Sequence, residues 1–125
     1  MPKFSKRSLD RLATCHPDLQ KVCNELIKTY DFSVNCGHRG KAEQDAAVKS
    51  GASKAKWPTS RHNTNPSLAV DIYPYPFPGW GKGSMPAWEK QRALFLACAK
   101  KLGITIQTIS WDWPHFQLPR PKKKS

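Results

Sequence analysis

The chain has 125 residues, a net charge of +12 and five tryptophans among thirteen aromatic residues. That length fits one domain with a single modest core. The aromatic content argues against a disordered chain, and no apolar run is long enough to span a membrane. The charge points to polyanionic partners (nucleic acid, anionic lipid or acidic cell-wall polymers) without choosing among them.

The first fifteen residues carry charge but no apolar stretch of the secretory type, so a protein acting outside the cytoplasm would need another means of release. Ser5 is a candidate cap for a helix over 5–15, with Leu9, Leu12 and Ala13 at helical spacing. Pro17 suits the first turn of a second helix over 17–30. Its stripe of Leu19, Val22, Cys23, Leu26, Ile27 and Tyr30 reads as core. Asp31–Cys36 alternates and stops at Gly37, which predicts a strand. Residues 41–50 predict a helix closed by Gly51, and 52–66 a loop. Leu68–Tyr73 predicts a second strand, followed by a long proline- and glycine-rich loop over 74–86. A third strong helix over 87–102 turns Trp88, Leu94, Phe95, Cys98 and Leu102 inward and stops at Gly103. Residues 104–109 alternate as a strand, and His115–Leu118 is a last short one. There is no internal repeat and no second domain, and helices followed by interleaved strands and helices give the α+β class. Residues 119–125 read as a basic flexible tail, either simply solvated or anchoring to an anionic surface. Cys15, Cys23, Cys36 and Cys98 form no C-x-x-C pair and read as reduced thiols acting as small buried hydrophobes.

His62 stands in the loop before the second strand, Asp71 lies within that strand, and His115 opens the last strand three residues after Asp112. Two imidazoles and one carboxylate suit zinc, and three protein ligands leave a fourth position for water. Zinc lowers the pKa of such a water towards about 7. A nearby carboxylate must then take the proton and deliver it to the leaving amine, and Asp112 is the candidate. Any one histidine is more often a packing residue than a ligand. Asp71 is more informative, because a carboxylate among Leu68, Ala69, Val70 and Ile72 needs either a basic partner or a metal.

Ser60-x-His62, Ala69-x-Asp71 and Asp112-x-x-His115 resemble the zinc motifs of D-alanyl-D-alanine carboxypeptidases and L-alanyl-D-glutamate endopeptidases, a family with many small phage endolysins. Gly37-His38-Arg39 followed by Gln44 resembles the family's upstream Gly-x-Arg segment, and Phe4–Leu9 with Leu12–Gln20 resembles the opening of the endolysin branch. The resemblance implies a DD-peptidase/Hedgehog-like α+β domain over 1–118, with helices packed on a short antiparallel sheet. It implies zinc held by His62, Asp71 and His115, with Asp112 as general base and acid. Arg39 would stabilise negative charge developing on the substrate, and His38 has no role to carry over. The implied function is a phage endolysin that hydrolyses a stem-peptide amide of peptidoglycan. The endolysin-like opening favours the L-alanyl-D-glutamate bond over D-alanyl-D-alanine carboxypeptidase action. Such an enzyme would stay in the host bacterial cytoplasm, as a monomer, until release to the cell wall, where its basic surface would favour the anionic envelope.

Three positions depart from the family's pattern. Asp71 follows His62 by nine residues where seven is usual, Gln117 stands where a glutamate is common, and Gly40 where a hydroxyl residue is usual. Trp57, Trp80, Trp111 and Trp113 flank the motifs as packing residues, or, for Trp111 and Trp113, as walls of a cleft beside Asp112. The 74–86 loop would form one side of the substrate groove. Two other functions compete: a basic nucleic-acid-binding protein, and a zinc site that only staples the fold, in which Asp112 would not matter.

Overall fold

A computed structural model describes residues 2–120. Residues 121–125, most of the expected basic tail, lie outside the described residues. Arg120 is described, and its guanidinium donates to the Thr59 carbonyl. The elements are α1 (Lys6–Leu12), α2 (Pro17–Leu26), β1 (Phe32–Cys36), α3 (Lys41–Ser50), β2 (Ala69–Pro74), α4 (Met85–Lys101), β3 (Gln107–Ile109) and β4 (Asp112–Gln117), with short 3-10 turns at Arg61–Asn63 and Lys82–Ser84.

The caps are those the sequence suggests. Ser5 Oγ accepts from Ser8 N at the start of α1, and Pro17 opens α2. Gly51, with φ of 83°, ends α3 in the left-handed conformation that glycine adopts without strain. Four elements differ from expectation. α1 stops at Leu12 because the chain turns to bridge Cys15 to Ser67. α2 stops at Leu26, beyond which Ile27 to Tyr30 turn towards β1. Ile104 N bonds back to Ala99 O, so 104–106 close the end of α4 and only Gln107–Ile109 pair as β3. β4 begins at Asp112 rather than His115, because the tight turn at 110–111 sets Ile109 opposite Asp112. Pro114 disguises that start. It sits where the β3 ladder passes from Phe116 to Asp112, so its missing N–H breaks no recorded pairing there.

The four strands form one antiparallel sheet in the order β1-β2-β4-β3. Side chains alternate across such a sheet. Val34, Val70, Ile72 and Phe116 point to one face and meet Leu19, Val22, Leu26 and Phe95 of α2 and α4 in the core. Phe95 and Phe116 stack at 3.9 Å between ring centres. Asp71, Tyr73, His115 and Gln117 point to the other face. There Asp71 is paired with His115, and Ala69 with Gln117, across β2 and β4.

Candidate metal centre and active site

His62 is positioned by a locally encoded turn. Ser60 Oγ accepts from His62 N at 3.2 Å, and Asn63 Oδ1 accepts from Ser60 N at 3.0 Å, a reciprocal capping box. The turn is then tied outward. Asn63 Nδ2 donates to Gln44 Oε1 at 3.1 Å, and the fully buried Gln44 donates to Ser53 Oγ and Ala55 O. Gln44 therefore fastens α3, the 52–55 segment and the histidine turn together. In the sequence it stands out only as part of a motif.

Three donor atoms converge on one point. His62 Nε2 lies 3.2 Å from Asp71 Oδ1, His115 Nδ1 lies 3.1 Å from the same oxygen, and the two ring nitrogens are 3.3 Å apart. Ligands about 2.0–2.1 Å from a tetrahedral zinc stand about 3.3–3.4 Å from one another, so this triangle has the right size. The outer ring nitrogens settle the tautomers. His62 Nδ1–H donates to the Gly37 carbonyl at 2.7 Å, and His115 Nε2–H donates to Gln117 Oε1 at 2.7 Å. Gln117 is in turn oriented by donating to Gln107 Oε1 at 3.0 Å. With both outer nitrogens carrying hydrogens, the inner nitrogens face each other and a carboxylate, and two lone pairs point inward once the proton between His62 and Asp71 is displaced. Such a donor set calls for a positive charge at its centre. Gln117 thus supplies the outer support that a glutamate would give.

The titration behaviour carries the same signal. Burial alone would lower the pKa of His62, but the Asp71 charge and its hydrogen bond, with help from Cys36, push it up to about 10. Burial would raise Asp71, but the His62 charge and the contacts of both imidazoles hold it well below the usual carboxylate range. Asp112, at the start of β4, is pushed upward by burial and then by the Asp71 charge, against weaker pulls from His115, His62 and Arg39. Upward displacement suits a group that must hold a proton during a reaction.

Cys36 also belongs to the cluster, which the sequence did not suggest. Its Sγ, a ring nitrogen of His62 and a carboxylate oxygen of Asp71 lie within 4.8 Å of one another, a group able to hold a metal ion. Of the four free thiols, Cys15 and Cys23 are buried and Cys98 is half-buried against the core, so the expectation of small buried hydrophobes fails chiefly for the half-buried Cys36.

These groups line one cleft of about 660 Å³, together with Arg39, Tyr73, Trp80 and Trp111. Arg39 is clamped by its backbone, its N donating to His62 O at 2.7 Å and its O accepting from Asn63 Nδ2 at 3.1 Å. Its Nε is buried with no hydrogen-bond partner. His38 stays outside the cluster, its backbone N donating to Thr14 Oγ1. Trp80, from the 74–86 loop, stacks on Trp88 at 4.9 Å and forms one wall. Trp111 forms another, with Lys54 Nζ 4.8 Å from its ring centre. Trp113 does not line the cleft as expected but packs against the Arg92 guanidinium at 3.9 Å.

The family model for phage L-alanyl-D-glutamate peptidases matches residues 1–117. The chain belongs to that family. Among its relatives is the L-alanyl-D-glutamate peptidase of Escherichia phage T5, 32% identical over 114 residues that cover 89% of this chain and 81% of the relative. The fold is similar to the crystal structure of the Serratia marcescens L-Ala D-Glu endopeptidase ChiX, with a TM-score of 0.73 and 27% identity over 94% of this chain and 90% of that one. Family membership makes the cleft that of a peptidase of the phage endolysin type acting on peptidoglycan.

Proposed function

We propose that the chain is a zinc-dependent L-alanyl-D-glutamate endopeptidase, with zinc held by His62, Asp71 and His115. The observation that carries this reading is the triangle of Nε2, Oδ1 and Nδ1, whose outer hydrogen bonds leave its lone pairs facing inward. When bound, zinc supplies Lewis acidity and a nucleophile at neutral pH. Asp112 takes the proton of the attacking water and returns it to the leaving amine nitrogen as the amide C–N bond breaks. The free donors of Arg39 face the negative charge that builds on the carbonyl oxygen. Trp80 and Trp111 narrow the cleft and limit the water that reaches it.

The L-alanyl-D-glutamate bond is favoured because the family and both relatives are named for it. No observation favours the carboxypeptidase or the nucleic-acid reading. We place the protein in the host cytoplasm as a monomer until release, with its net charge of +12 drawing it to the anionic envelope. Mass spectrometry of digested peptidoglycan tests the bond cut: fragments with new D-glutamate N-termini support the reading, and released D-alanine overturns it. Activity must vanish with a chelator and return with zinc; activity indifferent to chelation overturns the metal.

A further inference from the structure

β1 sends Phe32 and Val34 into the core, and strict alternation would send Cys36 after them. A register shift between Val34 and Cys36 prevents this. Val34 is opposite Ile72, but Cys36 is opposite Asp71, so two residues of β1 span one step of β2. Bulges of this kind re-aim side chains beside functional sites, and here Asn35 and Cys36 both line the cleft. The thiol comes within 4.8 Å of donor atoms of His62 and Asp71, a group that does not take in His115. Its recorded hydrogen bond is a weak one to the Gly37 carbonyl at 3.6 Å. That same carbonyl accepts from His62 Nδ1, so one dipeptide, Cys36-Gly37, sets both the thiol and the imidazole. Gly37 itself is locked, since a Cβ there would collide with Arg11 O and Thr14 Oγ1.

We propose that Cys36 Sγ is a fourth donor to the metal held by His62, Asp71 and His115, closing the centre at rest and giving way when substrate enters. The inference rests on the zinc reading above. Sulfur is a preferred zinc ligand, and a fourth protein donor turns an open catalytic site into the closed kind. As the sulfur–metal bond forms, the thiol proton passes to solvent. When an oxygen donor replaces the sulfur, that bond breaks and the thiolate takes a proton back. The resting enzyme therefore holds its metal firmly and exposes no reactive water until a stem peptide occupies the cleft.

The full chain loaded with cobalt(II) tests this by absorption. The wild type should show ligand-field bands together with a near-ultraviolet sulfur-to-cobalt charge-transfer band. Cys36→Ser and Cys36→Ala should keep the ligand-field bands and lose the charge-transfer band. A non-hydrolysable stem-peptide analogue should bleach that band in the wild type. Ligand-field bands without charge transfer in the wild type overturn the thiol donor and leave the zinc reading standing. A band that survives in Cys36→Ser also overturns it, because another thiol is then the source. Persistence of the band with the analogue bound overturns the displacement. Absence of ligand-field bands removes the metal reading and this inference with it.

Discussion

Zinc binding should release a proton from His62, and its strength should therefore climb with pH. In the metal-free protein the imidazole is pushed up to about 10, against 6.5 for an ordinary histidine, because the charge and hydrogen bond of Asp71, with help from Cys36, together outweigh burial. Across the neutral and mildly alkaline range Asp71 is fully ionised, since it lies well below the usual carboxylate range. Zinc must then displace one proton from His62 and, with Cys36 bound as proposed above, a second from its thiol, each of which should raise affinity about tenfold, or about 1.4 kcal/mol, per pH unit. Competition against a zinc-responsive dye at stepped pH measures the slope. Calorimetry in two buffers of different ionisation heat counts the protons directly. Asp71→Asn removes most of what raises the pKa, so burial should pull His62 down, the slope should lose the His62 proton and binding should weaken. Tight zinc binding by the wild type with no proton released would refute the ligand triangle. Stability of the chelated protein follows the same groups. The His62 contribution is fully present below pH 6.5 and is lost as pH rises towards about 10. The Asp71 contribution is present above the ordinary carboxylate range and lost in acid. Chelated protein should melt highest under mildly acidic conditions, and the gain in melting temperature from added zinc should widen as pH rises.

Three further outcomes are expected. Asp112→Asn should cut kcat by about 10²–10⁴-fold with zinc content unchanged by elemental analysis, an outcome that a purely structural zinc would not give. Gln117→Leu removes the 2.7 Å acceptor of His115 Nε2–H and should weaken zinc by about 10–100-fold in chelator competition, whereas Gln117→Glu should keep or strengthen it. Gly37→Ala forces a methyl group against Arg11 O and Thr14 Oγ1 and should cost about 1–3 kcal/mol in denaturant unfolding. The same change shifts the carbonyl that holds His62, so zinc affinity should fall with stability.

Much of the site was legible in the chain because its signals are local. Asp71 stands alone among apolar neighbours on β2, and Ser60 two residues before His62 encodes the capping turn. The α3 boundaries followed from helix formers and a terminal glycine. What escaped depends on pairing at a distance. Cys36 looks like a core residue by parity and reaches the cleft through a bulge that only its pairing with β2 reveals. The start of β4 was hidden by Pro114, which forbids a strand only where its N–H would be needed. Gln44 shows nothing in sequence of its hold on Asn63 and Ala55, because both partners come from a loop without periodicity. Gln117 stands where a glutamate is common, yet an amide oxygen fixed by Gln107 accepts from His115 as a carboxylate would.

The two faces of the central β2–β4 pair bear on how such a chain can change length. Asp71 and His115 alternate residue by residue with Val70, Ile72 and Phe116, so chemistry and core are interleaved along the same two strands. A single insertion or deletion inside either strand would exchange the two sets, placing a carboxylate and an imidazole in the core and aliphatic groups in the cleft. Between His62 and Ala69 no such parity applies, because the histidine is held by its own capped turn and by Gly37 rather than by a strand register. The nine-residue spacing from His62 to Asp71 falls in the one stretch between these two donors where length is free. Variation in this lineage should therefore gather in that loop, while β2 and β4 change by substitution alone.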